Sequence, residues 1–351
     1  MPKSASTRLP AAPQPARALA AERDFIDLAD LSRAEFFTLL DLAAAIRAHP
    51  ARFRRQLAGR GLAMIFEKPS LRTRVTFEVA MQSMGGYTVF LDFSDSPLGE
   101  REDIEDVARN LELWLDAIVA RTFEHQSIRA LARAARAPVI NGLSDHSHPC
   151  QALADFFTLR QTFGGFVSPT RRGRPLKLAY IGDGNNTLHS LLEAAALAGI
   201  EFAVANPPGY GPHPGVLAAA QARAAETGAE IHVGSEIAAA VAGAHAVYTD
   251  TWASMGQEAE ATRRARDFAA YQVSAAVMAA AAPGAYFMHC LPAHRGQEVA
   301  GEVIDSPRSL VYQQAANRLH AQKAVLAHLL APPPRARQAF AAAAGRPARV
   351  Q

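Results

Sequence analysis

Residues 62–86 read LAMIFEKPSLRTRVTFEVAMQSMGG, and they decide the fold. Leu62–Phe66 is a short apolar run of the kind that forms a buried strand. Pro69 then breaks the chain, and Ser70 is a residue type that caps helix N-termini. Phe77, Ala80, Met81 and Met84 follow at three-to-four spacing, and Gly85-Gly86 supplies a stop. The stretch is therefore a strand handing over to a helix. Ser70, Arg72 and Thr73 fall at the helix N-terminus, where free N–H groups and the helix dipole favour an anion. Arg adds a planar two-pronged donor suited to phosphate. The plainer alternative is a capped, solvated helix start with salt bridges to Glu67 and Glu78.

The same alternation extends outward in both directions. Apolar β-type runs occur at 87–91, 117–121 and 138–141, then at 176–181, 201–205, 230–233, 245–250 and 285–289. Helical patterns such as 102–116, 188–198 and 214–227 lie between them. Strand–helix alternation predicts an α/β fold with parallel sheets covered on both faces. A chain of 351 residues is too long for one ordinary core, which makes two domains the expectation. Residues 164–175, GGFVSPTRRGRP, interrupt all periodicity and mark the boundary. Residues 1–22 and 332–351, rich in Ala, Pro and Arg, read as disordered tails rather than as a transit peptide.

Composition narrows the function. A formal net charge of +3 argues against a general nucleic-acid binder. No apolar run approaches the roughly 18 residues of a membrane helix. Cys150 and Cys290 stand far apart and form no disulfide framework, which points to a reducing cytoplasm.

Further polar clusters fall at strand ends. In DHSHPCQALADFF (145–157), Pro149 suits a first helical position, leaving His148 at the cap and Gln151 in the first turn. His146, His148 and Cys150 have a spacing reminiscent of zinc ligands, but a fourth ligand is missing. LAYIGDGNNTLHSLLEAAALAG (178–199) resembles a dinucleotide fingerprint with Glu201 following at a fitting distance, yet Thr187 stands where the third glycine belongs. Its turn ends instead in two amides, Asn185 and Asn186, suited to a zwitterion or an amide. Asp250, ending the strand in AVYTDTWASMGQE (246–258), can hold an ammonium or cap the next helix. YFMHCLPAHRGQE (286–298) places His289 and Cys290 at another strand end, and a last helix starts near Asn317 and Arg318.

Taken together, SLRTR, HPCQ, GDGNN, DTWASMG, HCLPAHRG and NRLHAQK stand in the order and approximate spacing of the aspartate/ornithine carbamoyltransferase family, which residues 24–330 resemble. The resemblance implies two doubly wound parallel-sheet α/β domains. Residues 23–163 with the final helix, 316–331, would bind carbamoyl phosphate, and 174–315 would bind the amino acid. It implies attack by the side-chain amine of L-ornithine on the carbonyl carbon of carbamoyl phosphate, giving citrulline and phosphate, in arginine biosynthesis or, reversed, its breakdown. No cofactor or metal is expected, and family members are built on trimers with active sites near subunit interfaces. By similarity Ser70, Leu71, Arg72 and Thr73 line the phosphate, and Arg121, His148, Gln151 and Arg318 complete the carbamoyl phosphate site. Cys290 and Leu291 would border it beside the reacting amine, and Asn186, Asp250, Ser254 and Met255 would hold ornithine. Catalysis would fall to Arg72, Thr73, Arg121, His148 and Cys290. The alternatives are a different amine acceptor, such as an N-acylated ornithine or putrescine, or a non-catalytic relative.

Two positions depart from the pattern. Many relatives have a second Thr where Leu71 stands, a mild change if only its N–H contributes. Some relatives place in the loop at 92–103 a Gln that reaches carbamoyl phosphate in the neighbouring subunit. The nearest residue here is Pro97, which has no donor. Either Arg101 or another group substitutes, or that contact is absent.

Overall fold

The computed structural model describes residues 24–171, 173–253 and 258–330. In the first half, α1 (Arg33–Ala48) precedes β1 (Gly61–Phe66), α2 (Leu71–Ser83), β2 (Tyr87–Asp92), α3 (Ile104–Trp114), β3 (Ala117–Arg121), α4 (His125–Ala134), β4 (Val139–Leu143) and α5 (Pro149–Phe163). The second half runs β5 (Lys177–Ile181), α6 (Asn186–Ala198), β6 (Glu201–Ala205), α7 (Pro214–Thr227), β7 (Glu230–Gly234), α8 (Ile237–Val241) and β8 (Ala246–Thr249). It continues with α9 (Ala261–Asp267), α10 (Ala275–Ala279), β9 (Tyr286–His289), α11 (Gly301–Ile304) and α12 (Val311–Leu330).

The strands form two parallel sheets, ordered β2-β1-β3-β4 and β7-β6-β5-β8-β9. This is the expected pair of doubly wound α/β domains. Every residue of β1, β3, β5, β6 and β8 is buried, which is why these strands read as unbroken apolar runs. The strand order reverses between β1 and β3 in one sheet and between β5 and β8 in the other. Ligands of such sheets bind outside the carboxyl ends of the strands at those reversals.

Helix starts beside the reversals are capped as their sequences suggest. Ser70 Oγ accepts the Thr73 N–H at 3.3 Å, and Asn185 Oδ1 accepts those of Thr187 and Leu188 at 3.0 and 3.1 Å. The last helix differs from expectation. It begins at Val311, five residues before 316, and packs back on α1, α2 and α5 of the first domain. Ser309 still pairs strand-like with Phe287, whose carbonyl accepts the Leu310 N–H, before Gln314 N–H closes the first turn onto the Leu310 carbonyl. The polar pair Gln313-Gln314 hid that start, because Gln314 is buried for a reason local patterning does not carry.

Glu193 of α6 joins the two domains by accepting the N–H groups of Leu28 and Ala29 at 3.1 and 3.3 Å. Burial, reinforced by Asp27, pushes its carboxyl up to about 8. The folded chain therefore holds a proton there that the unfolded chain, with an ordinary Glu near 4.3, releases. This contribution to stability is full below the unfolded value and fades as pH rises through about 8. Thermal unfolding of Glu193→Gln between pH 5 and 8 is expected to depend less on pH than that of the parent. An unchanged pH slope would refute this assignment.

Candidate active site

The carboxyl ends of both sheets face one cleft of about 590 Å³ between the domains. Nearly every strand end contributes. Ser70, Arg72 and Thr73 follow β1; Arg121 ends β3; His148 and Gln151 open α5. From the second domain come Asn185 and Asn186 after β5, Asp250 after β8, and Cys290 and Leu291 after β9. Arg318 enters from α12, wholly buried.

The first-domain end is cationic. Arg318 donates to Thr73 Oγ1 at 3.0 Å and to Gln151 Oε1. Arg72 crosses the cleft to donate to the Leu291 carbonyl. Burial, then the neighbouring Arg318 and Arg72, lowers the Arg121 guanidinium to about 10, which leaves it charged at neutral pH. Burial and the same three guanidiniums hold the His148 imidazole well below its ordinary value, so it is neutral. Three like charges around a neutral imidazole favour a multiply charged anion between them.

The other end carries the opposite sign. Asp250 accepts from Asn185 Nδ2 at 2.9 Å, from the Thr251 N–H at 2.8 Å and from the Cys290 thiol at 2.9 Å. Burial and then Asp250 push the Cys290 thiol well up, so it is a hydrogen-bond donor and no thiolate nucleophile. Asn186 donates to the Ser144 carbonyl at 2.5 Å, tying the second domain to the β4–α5 loop. Leu291 has a φ of 59°, a conformation costing an ordinary residue about 1–3 kcal/mol. That turn is held because the Leu291 N–H donates to His289 Nδ1 at 2.8 Å, while His289 Nε2 lies 3.3 Å from buried Glu298. The turn aims the Leu291 carbonyl at Arg72.

One expected residue turns its side chain away. The Leu71 side chain is 77% exposed and turned away from the cleft. Ser254 and Met255 lie outside the described residues. Pro97 does not line the cleft; the neighbouring Leu98 N–H is held by Glu67 Oε1 at 2.8 Å. The plainer reading of the 67–74 stretch holds for Arg74, which pairs with Glu78 at 3.0 Å. It fails for Glu67, whose second oxygen accepts the Phe123 N–H at 2.6 Å.

The rival motifs also separate. Among the described residues, the group close enough to share a cation is Asp250, His289 and Cys290, not His146, His148 and Cys150. Cys150 is buried, and burial lifts its thiol to about 12. Glu201, where a dinucleotide's ribose would need it, is instead paired with Lys177 at 3.0 Å.

The cleft also holds residues to which the sequence assigned no individual role. Lys68 lies against the Phe123 ring, 4.3 Å from its centroid. Asp183, raised to about 6 by burial against the pull of Arg264, pairs with that Arg at 3.1 Å. Arg264 also holds the Trp252 carbonyl at 3.0 Å and Glu260 at 3.0 Å, bracing the chain on both sides of 254–257. The only sequence signals were Asp183 inside the Gly turn and Lys68 after a strand; nothing local marks Arg264.

Known proteins match both halves of the chain. Residues 23–161 match the carbamoyl-P binding domain, and residues 174–329 the Asp/Orn binding domain, of aspartate/ornithine carbamoyltransferase. The ornithine carbamoyltransferase of Symbiobacterium thermophilum is 50% identical over 317 residues, covering 88% of this chain and 98% of that one. The structure of ornithine carbamoyltransferase from Pyrococcus furiosus superimposes with a TM-score of 0.83 at 47% identity, over 89% of this chain and 97% of that one. An acetylornithine transcarbamylase complexed with acetylcitrulline is similar at a TM-score of 0.78 and 30% identity, over 87% and 98% of the two chains.

Proposed function

Because this chain belongs to the aspartate/ornithine carbamoyltransferase family, we infer from its cleft how it carries the carbamoyl group of carbamoyl phosphate to the side-chain amine of ornithine. It is a carbamoyltransferase, and its products are citrulline and phosphate. One observation carries the residue roles: a single cleft sets three guanidiniums against a carboxylate, matching a phosphate at one end and an ammonium at the other.

The residues around α2 receive the phosphate: Ser70, Arg72 and Thr73 by side chain, and Leu71 through its N–H at the helix start. Arg121, Arg318, Gln151 and neutral His148 hold the rest of carbamoyl phosphate. Thr73, Arg121 and His148 face the carbonyl oxygen as negative charge develops on it, and each such preorganised donor contributes about 10²–10³ in rate. Residues 23–163 with the last helix thus form the carbamoyl phosphate domain, and 174–315 the ornithine domain. Asp250 and Asn186, with Ser254 and Met255, hold the α-ammonium and α-carboxylate. That leaves the side-chain amine aimed past Cys290 and Leu291 at the carbonyl carbon. The amine must be neutral to attack, and the departing phosphate takes up its proton.

An alkyl amine of pKa near 10 is neutral in only about one molecule in 10³ at pH 7. Turnover with ornithine is therefore expected to climb steadily from pH 6.5 to 9. Carbamoyl phosphate-dependent product formation with ornithine, aspartate, putrescine and N-acetylornithine tests both points. Ornithine alone should react strongly. Faster turnover of another amine would overturn the role of Asp250, and a flat pH profile would overturn attack by the free amine.

The chain acts as a homotrimer or a multiple of one. Leu71, Val75 and Val79 lie four apart on the outer face of α2 and are exposed, as are Tyr87 and Val89 on edge strand β2 and Trp114 ending α3. So much exposed apolar side chain marks a surface meant to be covered, and α2 brings that surface to the phosphate end of the cleft. Sedimentation should give three times the 37.5 kDa of one chain, or a multiple of that, and a monomer would refute it. The cytoplasm fits two free thiols and the absence, among the described residues, of any helix long and apolar enough to cross a membrane.

A further inference from the structure

Behind the cleft lies a fully buried carboxylate that the transfer chemistry does not use. Asp155, one turn along α5 from Gln151, accepts the Gln151 Nε2 at 2.8 Å on Oδ1. The same oxygen accepts Gln314 Nε2 from α12 at 2.8 Å, and Oδ2 accepts the Tyr248 hydroxyl from β8 at 2.9 Å. Each glutamine then has its own oxygen turned the other way. Gln151 Oε1 accepts from Arg318, and Gln314 Oε1 accepts the N–H of His289 at 3.0 Å, next to Cys290.

An ionised carboxylate can only accept, so it allows each amide one orientation. Reversing Gln151 would set its NH₂ against the Arg318 guanidinium and its oxygen against Asp155, two repulsions inside a dry site. The charged neighbours agree with this role. Arg318 faces Asp155 from α12 and favours its charge, whereas Tyr248 on β8 and Cys290 after β9 are both kept protonated in part by Asp155. Burial raises the Asp155 carboxyl to about 6, which leaves it ionised at the pH of turnover.

We propose that Asp155 is a positioning residue for carbamoyl transfer: its carboxylate locks the Gln151 amide with the oxygen facing Arg318 and the cleft, and through Gln314 it holds the backbone leading into Cys290 and Leu291. The proposal rests on Gln151 contacting carbamoyl phosphate. Asp155 never touches substrate and acts through the two amides.

A double-mutant cycle tests it. Removing a hydrogen bond to a charged group inside a protein changes an equilibrium by about tenfold or more. Asp155→Leu, which keeps the branching but carries no polar atom, should raise the KM for carbamoyl phosphate at least about tenfold in the parent and several-fold less in a Gln151→Ala background, where only the path through Gln314 remains. Asp155→Asn keeps an acceptor oxygen but loses the charge that roughly doubles hydrogen-bond strength, so it should give a smaller rise that also shrinks in that background. Should leucine prevent folding, asparagine decides the matter. Equal rises in both backgrounds, or no rise in a folded variant, would overturn the proposal while Gln151 kept its role. A Gln151→Ala enzyme with unchanged KM would instead remove Gln151 from the carbamoyl phosphate site, and the proposal with it.

Discussion

Arg72→Ala should lower kcat at least about 10²-fold while leaving thermal unfolding nearly unchanged. Arg72 sits in the first turn of α2, where the helix dipole and free N–H groups already favour an anion. Its guanidinium stays partly exposed and belongs to no core cluster, so truncation removes no packing. Two things are lost together. One is the planar donor that meets phosphate as it departs; the other is the bond to the Leu291 carbonyl, which spans the cleft between the domains. Charge alone is not the requirement. Arg72→Lys keeps a cation but not the fork, and it should recover only a minor part of the rate. Steady-state kinetics on variants of matched Tm decide this, and a loss below about tenfold for alanine would remove Arg72 from the phosphate site.

Asp250→Asn should reduce kcat/KM for ornithine by about 10²-fold while shifting the KM for carbamoyl phosphate less than about threefold. The side chains are isosteric, but Asp250 accepts from three donors placed around both oxygens: Asn185, the Thr251 N–H and the Cys290 thiol. An asparagine NH₂ must oppose one of them. It also loses the charge that meets the substrate ammonium, and a buried hydrogen bond to a charged group is worth about 1.5–3 kcal/mol. The separation between substrates is the informative part. Equal losses for both would indicate that Asp250 holds the cleft together, and an unchanged ornithine constant would mean that the ammonium binds elsewhere.

Some of this was legible in the chain because its physics is local. A parallel strand buried on both faces must be apolar at every position, so LAMIF and KLAYI announce themselves without their neighbours. Ser70 and Asn185 cap helices through their own backbones two or three residues on. The start of α12 was less visible because Gln313 and Gln314 look like surface residues. Gln314 is polar and buried only because Asp155, 159 residues away, waits for its amide. Arg264 was invisible for the same reason, since its partners Asp183 and Trp252 reach it through the fold.

From the sequence alone followed the alternation of strands and helices, the two-domain division, and the clustering of cations, amides and a carboxylate at strand ends. Each of these depends on spacing along one segment. Only the tertiary structure decided which of those residues share a space. Arg318 reaches Thr73 across 245 residues, Arg72 meets Leu291 across 219, and Leu71 turns outward although its neighbours turn in. The opposed charges of the cleft arise from two sheets facing each other by their carboxyl ends. That arrangement follows from how α12 and the shared core pack the domains together, and no stretch of sequence encodes it by itself.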